Sequence, residues 1–161
     1  MFKRPHTLWG FKETGGSVMV GHGQRVFDTA TQNIKRWRVH ECAGLTVTPR
    51  GAEVRESADV ILLMKLPIGY VTVSCRVVSV TQSKDQWGFT YGTLPHHVER
   101  GEELFSVTMA PDGTVTFTVR AMSRPGHLLT RVGAPVAQII QRRATDKYLQ
   151  AMVDLVNEEQ P

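Results

Sequence analysis

Between residues 45 and 123 the chain repeats apolar side chains at every second position. The alternation is clearest over residues 69–82, 87–94, 103–109 and 115–121, where Thr, Ser, Gly or charged residues occupy most intervening positions. A period of two is the repeat of a β-strand, because successive side chains point to opposite sides of the strand. Strands with one apolar and one polar side are typical of an antiparallel sheet that is covered on one side.

Segments with helical spacing lie on either side of this block. Apolar residues recur every three or four positions over residues 24–40, which predicts an amphipathic helix that Gly44 ends. The same spacing over residues 135–157, with Pro135 in the first turn, predicts a second helix about 30 Å long. A short first strand is expected over residues 8–12.

These elements predict an α+β fold in a single domain over residues 1–161. The apolar side of an antiparallel sheet needs a cover, and the C-terminal helix has the largest apolar surface left in the chain. We therefore expect a curved antiparallel sheet of about six to seven strands, over residues 45–123, that grips this helix. The 20 valines against 11 leucines agree with a strand-rich fold. A sheet that curves around one helix commonly leaves a pocket between them.

Charge and cysteine content exclude several function classes. The net charge is +4, and the basic clusters at residues 35–38 and 142–143 accompany no nucleic-acid-binding motif, so we predict no nucleic-acid partner. Two cysteines form no disulfide framework, which favours a reducing, cytoplasmic setting. The longest apolar run is far too short for a membrane span, and the first ten residues are not expected to form a signal peptide.

Several motifs resemble one known family. Residues 88–96 read Gly-Phe-Thr-Tyr-Gly-Thr-Leu-Pro-His, and they are joined by Gly-His-Gly at 21–23, Arg-Ala-Met-Ser-Arg-Pro at 120–125 and Gly-Ala-Pro at 133–135. Over residues 21–152 the chain resembles the domain-of-unknown-function family DUF1990 of bacteria and plants. The resemblance implies no established activity. The family pattern is similar at a distance to the START-like and Bet v 1-like helix-grip superfamily, which implies a cavity that binds apolar or amphipathic small molecules.

We therefore predict that the protein binds an apolar or amphipathic small molecule between the sheet and the C-terminal helix, without a cofactor. The predicted ligand-binding residues are those that the strand and helix patterns direct toward this space: Val60, Leu62, Trp87, Phe89, Tyr91, Glu103, Phe105, Phe117 and Ile140. Each of them, taken singly, is also well suited to a packed core.

The segment 91–103 concentrates ionisable side chains. Glu103 shares strand parity with Phe105, so its carboxylate is expected on the covered side, where a lone carboxylate is costly and its pKa rises. His96 is expected in the loop before this strand. An alternative prediction is a hydrolase or cyclase type of enzyme that uses Glu103 and His96 as an acid–base pair, with Tyr91 as an orienting donor.

Two further interpretations remain open. Glu103 at the sheet rim could pair with an arginine in a structural clamp, and the protein could be a structural or partner-binding module without a ligand. A metal site is not expected, because a His-His-x-Glu segment supplies fewer convergent ligands than such sites need. No nucleophile elbow or phosphate loop occurs in the sequence.

Overall fold

The strands of the computed structural model form one curled antiparallel sheet, and the helices pack against one side of it. The structure describes residues 12–65, 69–94, 99–125 and 134–159. In chain order the elements of this part of the chain are β1 (Lys12–His22), α1 (Gln24–Lys35), α2 (Arg38–Cys42), β2 (Leu45–Thr48), β3 (Asp59–Lys65), β4 (Tyr70–Gln82), β5 (Gln86–Thr93), β6 (Glu99–Met109), β7 (Thr114–Pro125) and α3 (Ala134–Glu158).

The strand order is β1-β7-β6-β5-β4-β3-β2, so β2 to β7 follow one another as neighbours while β1 pairs with β7. Every neighbouring pair is antiparallel. The predicted fold, a curved antiparallel sheet with a long C-terminal helix, is confirmed. Gly113, at φ 86°, ends the turn between β6 and β7, where the N–H of Ala110 donates to the carbonyl of Thr114 at 2.8 Å.

The first strand of the described part of the chain contains two adjacent glycines. Residues 8–11 of the strand predicted over residues 8–12 lie outside the described residues, and β1 covers Lys12–His22, through Gly15 and Gly16. A Cβ on Gly16 would lie 2.8 Å from Cδ1 of Leu149 on α3. Glycine at this position therefore lets α3 approach the strand closely, and this tertiary requirement obscures the alternation that marks a strand.

The helix predicted over residues 24–40 is divided in two. α1 ends at Lys35, and Trp37 adopts a left-handed conformation with φ 60° before α2 begins at Arg38. A left-handed residue costs free energy for any side chain other than glycine. The buried packing of the Trp37 indole offsets this cost, because the change of direction inserts that side chain into the core. Gly44, at φ 95°, follows the end of α2 as predicted.

β6 begins earlier than the sequence suggested. The predicted alternation starts at Glu103, whereas Glu99 already pairs with Pro125 at the start of β6. The connection from β5 to β6 is therefore limited to residues 94–98, which is the length of an ordinary hairpin loop. The α3 helix extends one residue beyond each end of the predicted range 135–157.

The apolar core lies between the sheet and the helices. Buried side chains of β3 to β7 meet those of α1, α2 and the second half of α3 in one continuous cluster. Burial on α3 follows the predicted helical spacing, with Tyr148, Met152 and Leu155 among its buried residues. This packing brings the polar groups of the candidate site into an apolar environment.

Candidate functional site

Tyr91 and Glu103 form a hydrogen-bonded pair on the covered side of the sheet. They lie directly opposite each other on β5 and β6. The Tyr91 hydroxyl donates to Oε2 of Glu103 at an O···O distance of 2.5 Å, which is at the short end for such a bond. Tyr91 is buried and Glu103 is partly buried, whereas the preceding residue on β6, Glu102, is exposed. Strand parity predicted this division between the two glutamates.

Burial changes the acid–base behaviour of the pair. It raises the pKa of Glu103 from 4.5 to about 7, and the hydrogen bond from Tyr91 acts in the opposite direction by favouring the carboxylate. The pKa of Tyr91 is raised well above 10, mainly by burial and secondly by the negative charge of Glu103. Near neutral pH, Glu103 is thus divided between its acid and carboxylate forms, while Tyr91 stays a hydrogen-bond donor. Such a pair can accept or donate a proton, or orient a polar group.

A histidine that the sequence prediction did not include lies beside this pair. His40 on α2 is completely buried, and neither Nδ1 nor Nε2 has a hydrogen-bond partner within the part of the chain that the structure describes. Burial lowers the pKa of His40 from 6.5 to about 3, so the imidazole is neutral near pH 7. Its ring centroid lies 4.5–6.3 Å from those of five aromatic side chains, namely Phe105, Trp37, Tyr148, Tyr91 and Phe89.

Tyr148 and Cys75 complete the buried polar surroundings. The Tyr148 ring, on α3, lies 5.1 Å from that of Phe105, and burial and the charge of Glu103 raise the pKa of its hydroxyl well above 10. Burial, and to a lesser extent the charge of Glu103, raises the pKa of the Cys75 thiol to about 12. A thiol in this environment is a small apolar side chain rather than a nucleophile.

The other predicted ligand-binding residues lie in the apolar cluster that surrounds the pair. They form its aliphatic and aromatic walls, and the rings of Phe89 and Phe105 stack at 5.4 Å with an interplanar angle of 13°. His96 and the side chain of Ile140 lie outside the described residues. The members of this group that the structure describes are Val60, Leu62, Trp87, Phe89, Phe105 and Phe117, all of them buried.

The structural interpretation of Glu103 predicted an arginine partner. In the described part of the chain the hydrogen-bond partner of its carboxylate is Tyr91, and Arg120 is exposed on the opposite side of the sheet. A salt bridge in this part of the chain joins Arg76 to Asp59 at 2.6 Å, on the exposed surface. Glu103 is thus held by a phenol in an apolar setting, which explains why burial dominates its pKa.

Two functional candidates were missing from the predicted site. His40 lies three residues after Trp37, so it continues the helical stripe of α1 and could have been found by extending that stripe. Tyr148 lies within the helix predicted over residues 135–157, which does not by itself place it beside Glu103. Neither contact is visible in the sequence, because His40 is 63 positions and Tyr148 is 45 positions from Glu103.

A cleft of about 360 Å³ lies at the opposite end of the molecule, between the end of β1, the start of α1 and the end of α3. Gly21 in this cleft is opposite Val115, which is in turn opposite Met109 on β6. Met109 is six residues from Glu103, or about 20 Å along the strand. The cleft is therefore separate from the candidate site. It is lined by Gly21, His22, Arg25, Val26, Thr29, Val156 and Glu159.

The described residues contain no group of three or more His, Cys, Asp or Glu side chains that could hold a metal ion. No helix within them is both long and apolar enough to cross a membrane.

The curled sheet and the C-terminal helix packed against it define the class of the protein: it has the helix-grip fold of the Bet v 1-like and START-like proteins. Within this class the match to a family model is specific. The chain belongs to the family described as Domain of unknown function (DUF1990), whose model matches residues 4–151. The resemblance of the sequence motifs to this family is thereby confirmed.

Relatives of the chain occur in three distant lineages. A UPF0548 protein of Deinococcus radiodurans is 29% identical over 148 residues, which covers 84% of this chain and 74% of the relative. A UPF0548 protein of Arabidopsis thaliana is 25% identical, and the match covers 92% of this chain and 75% of the relative. A UPF0548 protein of Dictyostelium discoideum is 26% identical, and the match covers 89% of this chain and 72% of the relative. The family is therefore found beyond bacteria and plants.

Solved structures share the fold at low sequence identity. The crystal structure of Ara h 8.0201 has a TM-score of 0.61 at 9% identity and covers 93% of this chain and 100% of its own. The di-domain ARO/CYC StfQ from the steffimycin biosynthetic pathway has a TM-score of 0.62 at 14% identity, and the match covers 92% of this chain and 51% of the StfQ chain. A Thalictrum norcoclaurine synthase point mutant in complex with a transition state analogue has a TM-score of 0.59 at 9% identity. The match covers 92% of this chain and 95% of the synthase chain.

Proposed function

We propose that the protein binds a small apolar or amphipathic molecule between the sheet and the C-terminal helix, with Glu103 and Tyr91 holding its polar end. The observation that carries the proposal is the Tyr91–Glu103 hydrogen bond within an aromatic and aliphatic surface. Ligand sites for small molecules typically combine apolar walls with a few placed polar groups. The proposed walls are Val60, Leu62, Trp87, Phe89, Phe105, Phe117 and Ile140.

The fold neighbours support the proposal by analogy. One of them is a norcoclaurine synthase in complex with a transition state analogue, and another is an ARO/CYC protein of a biosynthetic pathway. Analogy of fold alone does not transfer a function, and the specific support is the acid–tyrosine pair of Glu103 and Tyr91. The proposal places the protein in the cytoplasm, in keeping with its two free cysteines.

The test measures binding of the uncharged dye Nile red and its displacement by a long-chain alcohol, 1-dodecanol. Wild-type protein is compared with Glu103→Gln at about pH 8 and about pH 5. At the higher pH the Glu103 carboxylate accepts a charge-assisted hydrogen bond from the alcohol, which Gln cannot equal, so the variant should bind dodecanol about five-fold more weakly. At the lower pH Glu103 is protonated, and the two proteins should bind dodecanol alike.

The matched control is Glu102→Gln, which changes an exposed glutamate one position away on the other side of the same strand. It should bind dodecanol like wild type at both pH values. Absence of saturable Nile red binding would contradict the proposal and favour a structural or partner-binding role. Equal effects of Glu103→Gln and Glu102→Gln at about pH 8 would remove Glu103 from the site.

A second candidate function, acid–base catalysis of hydrolase or cyclase type, is favoured by the pKa of Glu103, which is close to neutral. In this mechanism the Tyr91 hydroxyl donates to a ketone oxygen instead of to Glu103, and the freed Glu103 carboxylate removes a proton from the carbon next to the ketone. The enolate then takes back a deuteron from Glu103 after this acid has exchanged its proton with D₂O. Deuterium exchange at the α-carbon of 2-tetralone, followed by NMR, tests it. Wild-type protein should accelerate the exchange and Glu103→Gln should not; equal rates for both proteins would refute catalysis by Glu103.

A further inference from the structure

His40 is a buried polar group that the fold leaves without a hydrogen bond. Its side chain is completely buried on α2, and both ring nitrogens lack a partner in the described part of the chain. Buried polar atoms in native proteins nearly always have a partner, and an unpaired one lowers stability appreciably. An apolar ring would fill the same space without this cost, so space filling alone does not account for an imidazole here.

The surroundings of His40 indicate what it could bind. Its ring lies 5.9 Å from that of Tyr91, whose hydroxyl reaches Glu103, so the imidazole and the acid–tyrosine pair belong to one continuous cluster. Its other ring neighbours are Trp37, Phe89, Phe105 and Tyr148, contributed by the turn before α2, by the sheet and by α3. Aromatic surfaces of this kind favour flat, unsaturated molecules, which stack on rings or meet them edge to face.

We propose that His40 is a second polar group of the ligand site and that the site selects an uncharged, planar aromatic molecule bearing a hydroxyl or carbonyl group. This inference rests on the function proposed above and names the class of ligand. One ring nitrogen of a neutral imidazole accepts a hydrogen bond and the other donates one. His40 can therefore pair with a phenolic hydroxyl or with a carbonyl oxygen, whereas Phe89 and Phe105 beside it cannot.

The electrostatic environment agrees with an uncharged ligand. Burial lowers the pKa of His40 to about 3 and raises that of Glu103 to about 7, so the same surroundings disfavour the charged form of both groups. A carboxylate on the ligand would be desolvated in the same way, and it would also be repelled by the ionised fraction of Glu103. A neutral hydroxyl or carbonyl avoids both costs.

The experiment compares three probes that share one ring system: naphthalene, 2-naphthol and 2-naphthoate. Their affinities for wild type and for His40→Phe are measured at about pH 7 by fluorescence titration. In wild type we expect 2-naphthoate to bind most weakly. The ratio of 2-naphthol to naphthalene affinity should fall about ten-fold in His40→Phe, as expected for one lost hydrogen bond, while naphthalene still binds. His22→Phe, which changes an exposed histidine at the far end of the sheet, should leave the ratio unchanged.

A measurement on the wild-type protein covers the case in which His40→Phe does not fold. In ¹⁵N-labelled protein, the ring nitrogens of His40 should shift on addition of 2-naphthol and should not shift on addition of naphthalene. If naphthalene binds but neither the shift nor the change of ratio occurs, the role of His40 is refuted and the proposed binding function stands. If neither Nile red nor any naphthyl probe binds to wild type, both proposals are refuted.

Discussion

Replacing Glu103 with glutamine should make the protein progressively more stable than wild type as the pH rises. The pKa of Glu103 is about 7 in the folded protein, against 4.5 for an unperturbed glutamate, because burial disfavours the carboxylate. Between these two values the folded protein keeps a proton that the unfolded chain has released. The contribution of Glu103 to stability is therefore fully present below about pH 4.5 and is lost as the pH rises through about 7.

The size of the effect follows from the width of this window. A difference of one bound proton changes the free energy of unfolding by about 1.4 kcal/mol per pH unit. Over the interval from 4.5 to about 7 this amounts to about 3 kcal/mol. Glutamine has the shape of the protonated acid and does not titrate. The Glu103→Gln variant should therefore resemble wild type near pH 4.5 and gain about 3 kcal/mol relative to it above pH 7.

Urea unfolding at several pH values between about 4.5 and 8.5, followed by circular dichroism, measures this difference. Taking the difference between variant and wild type removes the contributions of other titrating groups, including His40, which both proteins contain. Glu102→Gln provides the control, because this exposed residue should show a difference that stays near zero at all pH values. A Glu103→Gln difference that is flat across the range, or that falls with rising pH, would refute the reasoning about burial.

Three further predictions concern the same cluster. Tyr91→Phe removes the hydrogen bond that favours the carboxylate and should raise the pKa of Glu103 further, which carboxyl ¹³C NMR measures; an unchanged pKa would contradict the bond. The pKa of His40 is lowered from 6.5 to about 3, so stability should be lost as the pH falls through this interval. His40→Phe should therefore remain folded to lower pH than wild type in circular dichroism, and equal acid midpoints would contradict the lowered pKa of His40. A thiol reagent should modify only exposed Cys42 in the native protein and also buried Cys75 after unfolding; two reactive thiols in the native state would be inconsistent with this packing.

Local patterns in the sequence were enough to predict the sheet and which side of each strand is buried. The reason is that a strand directs alternate side chains to opposite sides, whatever the rest of the chain does. Parity placed Glu103 on the covered side and Glu102 in solvent, as the structure has them. The spacing of apolar residues likewise predicted α3 to within one residue at each end.

The chemical surroundings of the site depend on contacts between distant parts of the chain. Trp37 takes a left-handed conformation because its indole is buried in the core, and the resulting break in the helix precedes α2 and its buried imidazole at His40. β1 includes Gly16 because Leu149 of α3 packs against that position. The neutral imidazole and the raised pKa of Glu103 have one cause, the loss of water around both groups when sheet and helices close over them. Desolvation is a property of the whole assembly of elements, so no local pattern of residues encodes it.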